Sequence, residues 1–163
     1  RYSPGDVTRP DAVALGYASG VPMGSDLPPR ERRDGAPRFL VMAMKDPIGA
    51  NLERVQIVKG WREKNGDLRE KVYDVAVAEK IGSTVDLAHA TYTNTVGAAE
   101  LTTWWEDPDF DRREHAFYYA RVVEIPTPRW TAFDAVRLGT DVAKESPMAI
   151  QERAYTSPIW YTP

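Results

Sequence analysis

The chain has 163 residues and a mass of 18.3 kDa, of which 42% are apolar, 28% charged and 10% aromatic; this is enough for one well-packed core and far from the compositions that stay disordered. A net charge of −3 and a pI near 5.5 exclude the broad basic field that draws a protein onto nucleic acid or anionic membrane. No apolar run is long enough to span a bilayer, and the absence of cysteine removes disulfides, thiolate metal sites and thiol nucleophiles together.

Arg1 opens the chain with Pro4 and Gly5 close behind, and the expectation is a portion of something longer. Thirteen prolines and eleven glycines leave little room for long helices, since an interior proline costs a helix about 3 kcal/mol. Residues 1–38 read as a loop-rich connector: a turn at Ser3-Pro4-Gly5-Asp6, a short helix from Pro10-Asp11 to Leu15 ended by Gly16, and an extended charged stretch after Leu27-Pro28-Pro29. Gly16, Gly20 and Gly24 are spaced like a phosphate loop, but neither Lys-Ser nor Lys-Thr follows them and no strand precedes them, so they read as plain loop. Residues 39–163 read as the folded β domain. The apolar run from Phe39 to Met44 is a buried strand stopped by Asp46-Pro47, and Leu52 to Trp61 is a strand covered on one face. Asn65-Gly66 predicts a hairpin with a type I′ turn into a strand over Lys71 to Ala78.

Residues 79–99 carry one short strand or an irregular loop. Leu101 to Trp105 is β-rich, Asp107-Pro108-Asp109 breaks it, and Phe117 to Ile125 has the highest strand propensity in the chain. After Pro126-Thr127-Pro128, Trp130 to Leu138 predicts about two turns of helix before Gly139. Glu152 to Trp160 predicts a last strand held at an edge by Pro158. The fold class is mainly β: an antiparallel, immunoglobulin-like β-sandwich with short helical decorations and a loop-rich N-terminal segment.

Signals for chemistry are sparse. His89 and His115 stand 26 positions apart, outside any metal-ligand spacing, and no serine sits in a nucleophile motif, so no catalytic residue is assigned. The four acids of Glu106-Asp107-Pro108-Asp109-Phe110-Asp111 read as a solvated turn helped by Arg112 and Arg113, with cation binding as the second reading. Trp104-Trp105 and Tyr118-Tyr119 each place one ring in the core and one at the rim; a sugar platform of Trp104, Trp105 or Tyr119 is the alternative. Arg129 and Trp130, after two prolines, and Glu152 and Arg153, near the end, are the candidate substrate contacts. An internal Arg–Glu pair pinning the tail is the structural alternative.

Several stretches carry a family resemblance. The segment from Gly16 to Gly24 (Gly-Tyr-Ala-Ser-Gly-Val-Pro-Met-Gly), Leu52 to Trp61, Asp107 to Asp111, Phe117 to Trp130 (Phe-Tyr-Tyr-Ala-Arg-Val-Val-Glu-Ile-Pro-Thr-Pro-Arg-Trp) and the close from Ile150 to Tyr161 resemble the C-terminal part of a bacterial family catalogued as domain of unknown function family 3604. The resemblance implies a longer protein whose preceding region is similar to a polymerase-and-histidinol-phosphatase (PHP) type metal-dependent hydrolase. The divalent metal and its ligands are expected in that region, with no cofactor in this chain. The chain itself is then an accessory C-terminal β-sandwich that stabilises the metal domain and shapes its cleft, with that region as its partner and a periplasmic or extracellular location. A freestanding carbohydrate- or ligand-binding module is the alternative.

Overall fold

The computed structural model describes residues 2–29, 34–143 and 145–163; Arg1, where the chain opens, and residues 30–33 of the expected charged connector lie outside the described residues. In chain order the elements are α1 (Ala12–Ser19), β1 (Arg38–Met44), β2 (Leu52–Arg62), β3 (Leu68–Val77), β4 (Glu100–Glu106), β5 (His115–Glu124), β6 (Thr127–Pro128), α2 (Trp130–Leu138), β7 (Ala149–Ile150), β8 (Arg153–Tyr155) and β9 (Ile159–Tyr161). All strand pairings are antiparallel. The main sheet runs β3-β2-β5, and β8 and β9 share the far side of β5, against residues 121–123 and 116–118 respectively. A two-stranded ribbon, β1 with β4, forms the opposing layer, and β6 pairs with β7 beside α2.

The core fills the space between these unequal layers. Ile57 from β2, Ala116, Tyr118 and Ala120 from β5 and Tyr161 from β9 meet Phe39 of β1, with Trp105 of β4 packed against the cluster. The rings of Phe39 and Tyr118 lie 4.7 Å apart and those of Tyr73 and Trp105 4.8 Å apart, so aromatic packing carries much of the inter-layer contact. Thr103 Oγ1 donates to the Val75 carbonyl across 2.9 Å and ties the ribbon to the β3 edge.

Local rules locate most elements, and the differences have local causes. The hairpin at Asn65-Gly66 is present, but only Gly66 takes a positive φ, +93°. Gly66 N–H donates to Glu63 O, and Glu63 N–H to Asp67 O, so the connection is a turn closed by a left-handed glycine rather than the expected type I′ pair. The first helix starts at Ala12, two residues after Pro10, and continues through Gly16 to end at Gly20. Strand β1 is not fully buried: Phe39 is inside, whereas Met42 and Met44 face solvent. The final strand is split in two: Thr156 N–H still donates to Ala120 O at 3.0 Å, and the interruption follows at residues 157–158, where Pro158 has no N–H to give. Residues 79–99 form an irregular loop stitched by isolated bridges, Asp86 to Thr91 and Ala98 to Leu52.

Candidate functional site

The acidic turn differs most from its expected solvated state. Asp107 follows β4 on the same side as Trp105, and its side chain is 0% exposed. Its Oδ2 lies 2.6 Å from Lys59 Nζ, itself 3% exposed, and accepts the Tyr118 hydroxyl at 2.7 Å. Asp107 Oδ1 accepts the Asp109 N–H at 2.9 Å, and Lys59 Nζ donates to the Asp109 carbonyl at 2.8 Å. Rings of Trp61 and Tyr118 stand 5.0 and 5.9 Å from the ammonium. The other acids are paired on the rim: Asp109 accepts from Lys71 and from the Tyr73 hydroxyl, and Asp111 accepts from Arg113. These partners hold both carboxyls below the usual range, Lys71 first for Asp109 and Arg113 first for Asp111. Burial, then the bond to Asp109, pushes the Tyr73 hydroxyl up. Cations of the chain itself therefore occupy the acids that a bound cation would have to use.

The four sequence-predicted contacts fall in two places. Arg129 precedes α2; its N–H donates to Met148 O at 2.9 Å and its guanidinium lies 5.3 Å from the Trp130 ring, which is 62% exposed. Glu152 and Arg153 line a groove of about 440 Å³ with Lys45, Asp46 and Glu124. Burial, then the nearby Glu152 carboxylate, raises the Glu124 carboxyl above its usual range. Among the described residues no ion pair joins Arg129 to Glu152, so the tail is not pinned in that way. Gln151 does the pinning: its Nε2 donates to Glu53 Oε2 and to the Glu124 carbonyl, both at 3.0 Å.

The aromatic platform also moves. Trp105 is core, and Trp104 buries its indole Nε1 beneath Arg38, whose guanidinium lies 5.7 Å from the ring. The outer face of the main sheet instead carries Tyr155, Tyr119, Phe117 and Trp160, with successive centroids 6.1, 6.4 and 5.3 Å apart. Sequence reasoning singled out Tyr119 alone of these, because the register that aligns β8, β5 and β9 is a long-range property.

Two further features are apolar. On α2, Thr131 and Ala132 point inward, while Trp130, Phe133 and Val136, three residues apart, form a stripe turned to solvent. Val13 and Tyr17 of α1 and Met23 are exposed as well, beside a cavity of about 570 Å³ floored by Phe39, Ile57 and Tyr118. Among the described residues no group of three His, Asp or Glu side chains is placed to hold a metal, and no helix is long and apolar enough to cross a membrane. His89 Nδ1 contacts Asp86 Oδ2 at 2.7 Å within the 79–99 loop, and His115 lies opposite Arg62 at an exposed strand end.

No curated protein and no solved structure matches the chain. The model of one family, described as "Protein of unknown function (DUF3604)", matches residues 1–163, and the chain belongs to that family.

Proposed function

We propose that this chain is the accessory β-sandwich of a longer, exported metal-dependent hydrolase of the PHP type, in which the preceding region holds the divalent metal. The supporting observation is the apolar stripe of α2, where Trp130 is 62% and Phe133 50% exposed on a nine-residue helix whose inner face packs only small side chains. A stripe of this kind on a short helix is costly in water and marks a contact surface. In this reading α2 docks on the metal region, and Arg129, stacked on Trp130, stands at the rim of the hydrolase cleft, where a guanidinium suits an anionic substrate.

The test compares amide hydrogen exchange in this chain alone and in the longer protein that includes the preceding region. Protection of α2 in the longer protein, together with loss of hydrolysis but not of bound metal in a Trp130→Ser/Phe133→Ser variant, is the expected outcome. Equal exchange of α2 in both proteins rejects the docking role. The row Tyr155, Tyr119, Phe117 and Trp160 favours a second reading, an aromatic surface for neutral sugars in which only Phe117 and Tyr119 lie parallel. Glycan binding that disappears in Tyr155→Ala and Trp160→Ala would select it.

A further inference from the structure

Lys59 and Asp107 come from opposite layers, β2 of the main sheet and the end of β4 in the ribbon, and meet where water has no access. Their side chains are 3% and 0% exposed, with Nζ 2.6 Å from Oδ2. Tyr118, directly opposite Lys59 on β5, donates its hydroxyl to the same carboxylate oxygen at 2.7 Å. The Asp109 backbone flanks the pair on both sides, its N–H on Asp107 Oδ1 at 2.9 Å and its carbonyl on Lys59 Nζ at 2.8 Å. Trp61, Tyr118, Phe39 and Trp105 close the surroundings.

An amine and a carboxylic acid condense when they are held in contact, when both are neutral and when the water released is not in excess. One proton moving from Nζ to Oδ2 converts the ion pair to the neutral pair that can condense, and both groups are already in contact and away from solvent. A fixed contact supplies the effective concentration that a bimolecular condensation lacks. We propose that Lys59 and Asp107 become joined by an intramolecular isopeptide bond that staples the ribbon to the main sheet.

The step balances without any added reagent. After the proton passes to Oδ2, the Nζ lone pair attacks Cγ of Asp107, and negative charge develops on Oδ1, where the Asp109 N–H already donates. Tyr118 gives its hydroxyl proton to Oδ2 and recovers one from Nζ. The Cγ–Oδ2 bond breaks, and Oδ2 leaves as water with one proton that began on Lys59 and one from the Tyr118 hydroxyl, which the second proton lost by Lys59 replaces. In the product, Oδ1 is the amide carbonyl, still held by the Asp109 N–H, and the remaining N–H of Lys59 donates to the Asp109 carbonyl. Every hydrogen bond of the Asp109 backbone seen in the structure is thus usable before and after the reaction. Tyr118 touches the leaving oxygen and is the catalytic residue of this step. The bond would also give a chain with no cysteine a covalent cross-link between its two layers.

Denaturing intact-mass spectrometry of the purified chain decides the matter. The expected mass is below that of the sequence by one water, about 18 Da, with a branched proteolytic peptide joining Lys59 to Asp107 and no tryptic cleavage after Lys59. Lys59→Arg and Asp107→Ala should restore the full mass, Asp107→Asn should release ammonia instead and lose about 17 Da, and Tyr118→Phe should accumulate the product more slowly. The unmodified sequence is decisive even where a variant fails to fold. A folded protein whose mass equals that of its sequence after prolonged incubation at neutral pH, or a water loss mapped to other residues, overturns the proposal and leaves an ordinary buried ion pair. The result does not depend on the hydrolase association, since it is read on this chain alone.

Discussion

Gly60 is buried in the middle of β2, and the Phe117 ring lies across it on the outer face of the sheet. A Cβ at Gly60 would stand 2.4 Å from both Cε1 and Cζ of Phe117, whereas carbon atoms in ordinary contact sit about 3.5–4.0 Å apart, so Gly60→Ala forces the ring back by about an ångström. Trp160 and Tyr119, at 5.3 and 6.4 Å, limit sideways movement and leave outward tilting as the escape. Overpacking of this kind costs about 1–3 kcal/mol. Against it, alanine restricts the unfolded chain and returns about 0.4–1 kcal/mol where the backbone is already extended. The expected net effect is a loss of up to about 2.6 kcal/mol, centred at about 1.3 kcal/mol, read as a lower urea midpoint at an unchanged m-value. In a Phe117→Ala background the clash is gone, so the same Gly60→Ala change should become neutral or stabilising. An equal loss from Gly60→Ala in both backgrounds would mean that the ring does not lie on Gly60, and the described outer aromatic face would be wrong.

Removing one member of the buried pair, Asp107→Ala, leaves Lys59 and the Tyr118 hydroxyl without their shared acceptor and should cost at least about 3 kcal/mol in urea unfolding; a loss within 1 kcal/mol, roughly that of a surface ion pair, would contradict the burial. Asp109 and Asp111 have folded-state pKa values below their unfolded ones, so the stability they add is complete above the ordinary carboxylate range and fades as pH falls through and below it. Lys71→Met should flatten the Asp109 share of the fall in urea midpoint between pH 5 and pH 2, and an unchanged acid limb would refute the pairing. Glu124 has the opposite sign: its raised pKa adds stability below the unfolded value that is lost as pH rises through the folded one. Glu124→Gln should therefore raise the melting temperature at pH 7 and leave it unchanged at pH 3, with equal shifts at both pH values counting against burial beside Glu152.

What the sequence made legible is what short-range rules govern. The helix over Trp130–Leu138 has prolines before it and Gly139 in the left-handed conformation after it, and the hairpin has Asn65-Gly66; both rest on conformations available to few residue types. The two-layer β class follows from many short β-rich runs divided by turns. The pairing of β1 with β4 was not legible, since Phe39 and Trp105 are 66 positions apart and nothing local distinguishes that partner from others.

The buried lysine is a different case, because its signal lies in the period of the strand itself. Strand side chains alternate, so Lys59 stands in phase with Ile57 and Trp61, and the face that places those two in the core places Lys59 there as well. Asp107 is likewise in phase with Trp105. Hydropathy sorts each of these residues to the surface by type, while the period sorts them inward by position, and the period prevails because the whole strand must share one register. Two opposite charges forced inward by separate strands are tolerable only if they meet, which turns two apparent exceptions into a prediction about which strands face each other. An in-phase lysine on one inner strand and an in-phase aspartate at the end of another therefore constitute a long-range contact signal, one that hydropathy averages discard and that in this chain identifies the β2–β4 juxtaposition.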